Sequence, residues 1–299
     1  MFKNTANFSD KRLVAVDQAV FSIIIPSWNN LAFLKLCIHS IRSNSVYPHQ
    51  IIVHINDGSD GTLEWIADQH DISYTHSGHN IGVCYALNSA AQLAATDQIV
   101  YLNDDMYVCP DWDLHLNDVI KRQPDILYFI SSTAIEAFPQ SNCSIRGDYG
   151  TTIETFNEHK LLAEYKSLPK TNWSGATWPP NLVHKQIWDL VGGYSTEFSP
   201  GFYSDPDFSM KLWNAGVRRF IGVADSRVYH FGSVSTRKNF VKNKGYHQFV
   251  SKWGMTAATL SKYYLHKGEI LNGTLVEPQL PFWLNMKNYF KRMVAVFGQ

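Results

Sequence analysis

The chain has 299 residues, 45% of them hydrophobic and 14% aromatic, enough apolar material for one large domain or two closely packed halves. Its 26 lysines and arginines balance 26 aspartates and glutamates, so no global field recruits nucleic acid. No run of about 18 uncharged apolar residues occurs, so no bilayer-spanning helix is expected. Four scattered cysteines, Cys37, Cys84, Cys109 and Cys143, lack the spacing of a zinc site and suit a reducing compartment. The N-terminus stays charged through Arg12 and has no signal-peptide core. The expectation is a cytoplasmic protein.

Residues 1–20 read as a polar, loosely docked arm. Phe21-Ser22-Ile23-Ile24-Ile25-Pro26, closed by proline, predicts a buried strand, and Asn30 is placed to cap a helix with Leu31, Leu34, Ile38 and Ile41 on one face. Residues 50–56 form a second strand, ended by Asp57-Gly58-Ser59-Asp60 and a helix through Ile66. Residues 72–76 make a third, weaker strand, and Asn80-Ile81-Gly82 opens an Ala-rich helix that runs to about Ala95. A fourth strand, residues 98–102, delivers Asn103-Asp104-Asp105. Such alternation implies a parallel sheet with right-handed crossovers. Its loops then carry Ser27/Asn29, Asp57/Ser59 and Asp104/Asp105 on one edge.

Past Met106 the alternation fades. Residues 111–120 read as helix, 126–130 as strand, and 131–180 as irregular chain lining a cleft. Residues 182–190 read as a helix stopped by Gly192-Gly193. Gly201 to Asp207 leads into an amphipathic segment, 208–215, and two short strands, 219–223 and 227–229, end at His230-Phe231-Gly232-Ser233. Everything from Lys238 is expected to be helical. From Arg237 onward ten lysines and arginines face two glutamates, a basic tail on an acidic body. Its partner is an anionic membrane surface or a neighbouring subunit, unless it is simply a solvated helical face. Residues 282–292 mix apolar and basic side chains and suit either a membrane interface or an intramolecular or dimer-packing helix.

Two adjacent carboxylates at a buried strand's C-terminal end are the sharpest chemical signal. Held about 4 Å apart near a surface they repel by roughly 4 kcal/mol. A hard cation converts that cost into binding, and Mg²⁺ or Mn²⁺ held by one or two carboxylates plus substrate phosphates is the usual form. The plain alternative is a strand-end turn with two solvated acids.

Taken in order, these loops resemble the family 2 glycosyltransferases of the GT-A fold, over roughly residues 21–235. The pieces are Ile23-Ile24-Ile25-Pro26-Ser27-Trp28-Asn29, Asn56-Asp57-Gly58-Ser59-Asp60, Asn80-Ile81-Gly82, Asn103-Asp104-Asp105, Ser204-Asp205-Pro206-Asp207 and Val228-Tyr229-His230-Phe231-Gly232-Ser233. The sequence departs from the family pattern at Asn56, Leu87, Asn103, Ser204 and Lys211. The resemblance implies an α/β chain with a Rossmann-like, mostly parallel central sheet flanked by helices. After the arm, 21–106 would bind the nucleotide-sugar, 107–236 the acceptor and the catalytic groups, and 237–299 would be a basic helical extension.

It also implies roles. A nucleotide-sugar, with a UDP-sugar favoured, would lie against Pro26, Ser27, Asn29, Asp57, Asn80, Gly82 and Asp104, with Asp57 on the base and Asp104 near the ribose. Asp105 and His230 would hold Mn²⁺ or Mg²⁺, with a phosphate oxygen as the other partner open to His230. Asp205 would act as general base on the acceptor hydroxyl, and inversion would follow from a single base with no second nucleophile. Trp173, Trp178 and Asp207 would face a carbohydrate or glycolipid acceptor. For several of these a purely structural role stands beside the functional one: an Asx-turn for Asp57, a helix cap for Asn80, a helix N-terminal acid for Asp205 and Asp207, and core packing for the tryptophans. Two other readings remain. A sugar nucleotidyltransferase usually opens on a Gly-rich, basic loop, which Pro26-Ser27-Trp28-Asn29 is not; a non-catalytic sugar-binding scaffold would explain the departures.

Overall fold

Period-two alternation builds the centre of the molecule. In strand β2 (Ser22–Trp28), Ile23 and Ile25 pack on one face of the sheet while Ile24 packs on the other, and all three are fully buried. The structure, a computed structural model, describes residues 8–139, 141–232 and 244–297. On the Ile23 face lies helix α1 (Leu31–Asn44), whose Leu34, Cys37, Ile38 and Ile41 are buried. Strand β3 (Gln50–Asn56), helix α2 (Thr62–Ala67), strand β4 (Ile72–Ser77), helix α3 (Val83–Ala91) and strand β5 (Gln98–Tyr101) follow. The strands β4-β3-β2-β5 run parallel, as the alternation implies.

The expected arm contains a strand. Strand β1 (Phe8–Arg12) adds antiparallel to β4, and the Arg12 guanidinium donates to the carbonyls of Ile66, Ala67 and Ile72. The α1 cap also differs from expectation. Asn30 makes no side-chain cap bond; Asp60, from the next strand's loop, accepts from Leu31 N at 2.9 Å and from Thr62 N at 3.1 Å. One carboxylate thus closes two helix starts.

The second half of the sheet is mixed. It contains β6 (Met106–Val108), helix α4 (Trp112–Lys121), β7 (Tyr128–Glu136), β8 (Ile145–Arg146), helix α5 (Glu158–Glu164), β9 (Trp173–Ser174), β10 (Asn181–His184), helix α6 (Lys185–Val191), helix α7 (Ser204–Asn214) and β11 (Arg219–His230). The helix expected over 182–190 begins only at Lys185. Residues 181–184, buried on both faces, form β10, which runs antiparallel between β5 and β7. Four apolar-rich residues carry no period that separates a strand from a helical turn. Likewise β7 continues through 131–136, inside the stretch read as irregular, and the two late strands are one, bulged between Val223 and Arg227.

The full order is β1-β4-β3-β2-β5-β10-β7-β11-β6, with β8 on β7 and β9 on β11. Helices α3, α6 and α7 pack on one face, and α1 and α4 on the other. After the described residues resume, helix α8 (Lys244–Trp253), the short helix α9 (Ala257–Thr259) and a π-helical turn at Leu260–Tyr264 lie against the α3/α7 face. Residues 265–281 are largely non-helical, against the all-helical expectation, and helix α10 (Phe282–Phe297) packs on α8. The start of the basic extension, including Arg237 and Lys238, lies outside the described residues, as does Ser233. Among the described residues no helix is long and apolar enough to cross a membrane.

Candidate active site

Chain order reverses between β2 and β5, and a ligand crevice in such a sheet lies outside the carboxyl ends of the strands at that point. Ser27 and Asn29 stand at the end of β2, Asp57 at the end of β3, and Asp104 and Asp105 just past β5. Asn29, in the left-handed region at φ 46°, donates from Nδ2 to Asp57 Oδ2 at 3.0 Å and to Ser59 Oγ at 3.3 Å. Its Oδ1 accepts from Gly58 N at 3.0 Å. Asp57 also takes a positive φ, 66°, a left-handed position that aspartate enters more readily than most residues. Ser27 Oγ donates to Asp104 Oδ2 at 2.8 Å. Burial and the adjacent Asp105 raise the Asp104 carboxyl to about 7.

Strand register builds the next part. Tyr229 of β11 pairs with Ile135 of β7, and His230 pairs with Met106 of β6, so His230 sits between Glu136 and Asp105. Its Nδ1 is 2.7 Å from Glu136 Oε1, and its Nε2 is 3.5 Å from Asp105 Oδ1. Phe231 N donates to the Asp105 carbonyl at 3.1 Å and fixes the turn. Burial alone would lower the imidazole; the hydrogen bonds and charges of Asp105 and Glu136 overcome it and raise it to about 10.

This arrangement fits a divalent cation of a particular kind. Asp105 and His230 Nε2 face each other like neighbouring ligands, with the carboxylate-to-imidazole support at Nδ1 that usually orients a metal-binding histidine. Among the described residues no group of three or more His, Cys, Asp or Glu side chains is arranged to hold a metal alone. Two such ligands would leave the other positions to substrate phosphates and water, as in magnesium-type sites.

Asp205 lies in the first turn of α7, half-buried. Burial raises its carboxyl to about 7, partly offset by the Tyr194 hydroxyl, which donates to Oδ1 at 3.0 Å, and by the charge of Lys267. Tyr194 is clamped in turn: its N donates to Asn88 Oδ1 and its O accepts from Asn88 Nδ2, both at 2.8 Å. Tyr101, buried at the end of β5, packs edge-on to Tyr194, and burial with the charges of Asp205 and Asp105 raises its phenol. Asp105 and Asp205 thus flank one buried tyrosine.

Gly82 and Asn80 work through the backbone. A Cβ on Gly82, at φ 81°, would meet Ser199 Oγ and lie 2.7 Å from Pro200 Cα. Val83 N donates to the Pro200 carbonyl at 3.0 Å, so this close approach ties the start of α3 to the loop that leads to Asp205. Asn80 Oδ1 accepts from Gly82 N at 2.8 Å, an Asx-turn ahead of the helix.

Three side chains assigned to the acceptor are placed differently from one another. Trp178 is exposed, with Lys267 Nζ 3.9 Å from its ring centroid. Trp173 is buried; its Nε1 donates to Thr133 Oγ1 at 2.9 Å, and its ring fills the space that a side chain at Gly222 would need. Asp207 is fully buried on the opposite side of α7, 2.9 Å from Lys252 Nζ and accepting from Trp253 Nε1 at 2.8 Å. Neither Trp173 nor Asp207 presents a surface to an acceptor.

Residues 22–164 match the family model described as glycosyl transferase family 2. The whole α/β architecture agrees: the structure of Staphylococcus aureus TarS 1-349 superposes with a TM-score of 0.56 at 12% identity, over 93% of this chain and 72% of that one. Residues 22–164 are thus similar to glycosyl transferase family 2. The complex of S. aureus TarS 1-349 with UDP-GlcNAc gives 0.57 at 11% identity, over 93% and 73%. Among curated relatives, the uncharacterized protein y4gI of Sinorhizobium fredii is 24% identical over 237 residues, 72% of this chain and 24% of that protein. The O-antigen biosynthesis protein RfbC of Myxococcus xanthus is 23% identical over 240 residues, 75% of this chain and 18% of that protein. The chain therefore spans about a quarter or less of the curated relatives it matches.

The family match ends before Asp205, and three supporting groups were not singled out by the sequence. Glu136 reaches His230 only because β7 and β11 pair in parallel across 94 residues. Tyr194 follows the Gly192-Gly193 helix stop, which reads as punctuation. Lys267 comes from the tail: Ser174 N donates to Glu269 O and Gly268 N to Ser174 O, both at 2.9 Å, docking 267–269 on β9. Burial lowers the Lys267 ammonium to about 8.

Proposed function

We propose that the chain transfers a sugar, with inversion, from a nucleoside-diphosphate-sugar to a hydroxyl of a glycan, lipid-linked or protein acceptor, with a UDP-sugar favoured as donor. Asp205 carries this reading: a half-buried carboxyl raised to about 7, on the carboxyl edge of the sheet beside the switch-point acids. The S. aureus TarS structures with UDP and with UDP-GlcNAc support the donor class, and the O-antigen biosynthesis assignment of RfbC supports a polysaccharide product.

In this reading 21–106 is the donor half. Asp57 accepts from the base, Asp104 sits near the ribose, and Pro26, Ser27 and Asn29 supply backbone and amide contacts, with Gly82 and Asn80 shaping the floor. Asp105 and His230 would hold Mn²⁺ or Mg²⁺, which when bound supplies Lewis-acid relief of charge on the departing diphosphate. Glu136 fixes the imidazole. Asp205 takes the acceptor proton at Oδ2, since Oδ1 is held by Tyr194. Trp178, with Lys267 over its face, offers an apolar plane for an acceptor sugar.

Two variants test the assignment. Asp205→Asn is expected to retain donor binding and lose transfer, whereas Asp105→Asn loses cation-dependent donor binding. Release of nucleoside diphosphate from a nucleotide-sugar, with Mn²⁺ present, is the assay. Equal loss of donor affinity in both variants, or pyrophosphate as the product, defeats the assignment.

A further inference from the structure

Helix α10 has two faces, and the fold uses only one. Leu284, Asn288 and Ala295 are buried against the body, with Thr259 Oγ1 donating to Asn288 Oδ1 at 3.2 Å. Phe282, Trp283, Met286, Tyr289, Phe290, Met293, Val294 and Val296 are all exposed. At 3.6 residues per turn these eight fall within one arc of about 160° that no polar residue interrupts. Lys287 borders that arc on one side, with Lys291 beyond it, and Arg292 lies toward the other; the helix carries no acidic residue.

We propose that α10 is an in-plane anchor for an anionic phospholipid surface, its aromatic arc sunk among the acyl chains and its three cations at the headgroups. Charge favours lipid over a second copy of the chain. Two such arcs pressed together would bring the flanking lysines and arginines toward one another with no carboxylate on either helix to pair with them. At an anionic surface the same cations are matched, and lysine stems extend along the apolar face toward the headgroups. The arc is also broader than the seam of a two-helix contact. Aromatic side chains with polar tips, such as Trp283 and Tyr289, suit the interfacial layer.

The anchor is coupled to the catalytic edge. Helix α10 packs on α8, whose Lys252 and Trp253 hold Asp207 of α7, and α7 begins with Ser204 and Asp205. A bilayer under α10 therefore has a fixed orientation relative to Asp205, which suits an acceptor carried on lipid.

Vesicle binding by the full chain tests this without turnover. The protein is sedimented with vesicles of phosphatidylcholine alone or of phosphatidylcholine with phosphatidylglycerol. Co-sedimentation is expected with the second, weaker with the first, and falling as salt is raised. Trp283→Ser with Phe290→Ser is expected to weaken binding at least about tenfold. Lys287→Glu with Arg292→Glu is expected to abolish the preference for the anionic vesicles. All four side chains are exposed, so unchanged thermal melts and unchanged donor hydrolysis in lipid-free buffer show that each variant is folded. Folded wild-type protein left in the supernatant with both vesicles overturns the proposal, as does binding that the aromatic pair leaves intact. A lipid-free dimer that the same aromatic pair dissolves also overturns it, in favour of a second copy.

Discussion

The proposed donor edge and the proposed catalytic edge of this sheet hold their groups by different means. At the ends of β2 and β3 neutral amides and hydroxyls work near solvent: Asn29 bridges Asp57, Ser59 and Gly58. Across the switch point, at the ends of β7 and β11 and the start of α7, charges are buried and displaced. His230 rises to about 10, Asp205 rises to about 7, and Lys267 falls to about 8. Recognising a base takes shape and hydrogen bonds, and on that edge only Asp104, at the switch point itself, is shifted to about 7. Moving a proton takes a group whose affinity lies near working pH, and burial supplies that shift.

Removing the charge on the catalytic edge should have the largest effect. Asp205→Asn is expected to cost about 10²- to 10⁴-fold in turnover. The pH profile carries the sign. Below about 7 the raised Asp205 carboxyl is protonated and cannot accept, so kcat/KM falls about tenfold per pH unit there and levels off above. Lys267 favours the ionised form, so Lys267→Ala should move the inflection to higher pH. The same shift bears on folding. A carboxyl with a raised folded-state pKa costs stability once ionised, so Asp205→Asn should be more heat-resistant than wild type at pH 8, by ~1–4 kcal/mol, with the difference vanishing toward pH 4. An inflection near 4 in the wild-type profile would remove Asp205 as the base.

The second break concerns His230. Glu136→Gln keeps the size of the side chain but removes the carboxylate from Nδ1. Outer-sphere partners of metal-binding histidines are typically worth 10–100-fold in affinity. Calorimetry of donor binding should show a loss of about that size with Mn²⁺ present and none without cation. Loss of equal size in both titrations would make Glu136 a support for the fold alone.

The two edges also differ in how far the sequence discloses them. Ser27, Asn29, Asp57, Asp104 and Asp105 each end or follow a short β-branched strand, so local pattern locates them and parallel pairing gathers them. Glu136 and His230 meet through a register between strands 94 residues apart, which no local pattern encodes. Asp207 shows the same gap in reverse. Two residues from Asp205 and chemically identical, it is taken into the core by Lys252 and Trp253, whose helix packs there only in three dimensions. Strand β10 was hidden by its length, four residues continuous with a helix. Gly82 was legible as a motif and opaque as a cause, since the Ser199-Pro200 loop that demands it lies 117 residues away.

The smallest effect sharpens the comparison most. Asn29→Ala removes the amide that holds Asp57, Ser59 and Gly58, and ordinary hydrogen bonds are worth about 0.5–1.5 kcal/mol each net. It also places a Cβ-bearing residue without a stabilising side chain at φ 46°, an additional cost of about 1 kcal/mol. Asn29→Gly separates the two, because glycine accepts that φ freely while still lacking the amide. Both variants should raise the donor KM, by about fivefold to tenfold for the glycine, and leave kcat at saturating donor unchanged. The alanine should additionally melt earlier. If kcat falls in Asn29→Gly as it does in Asp205→Asn, the donor edge contributes to the chemical step itself, and the division of labour along the sheet is wrong.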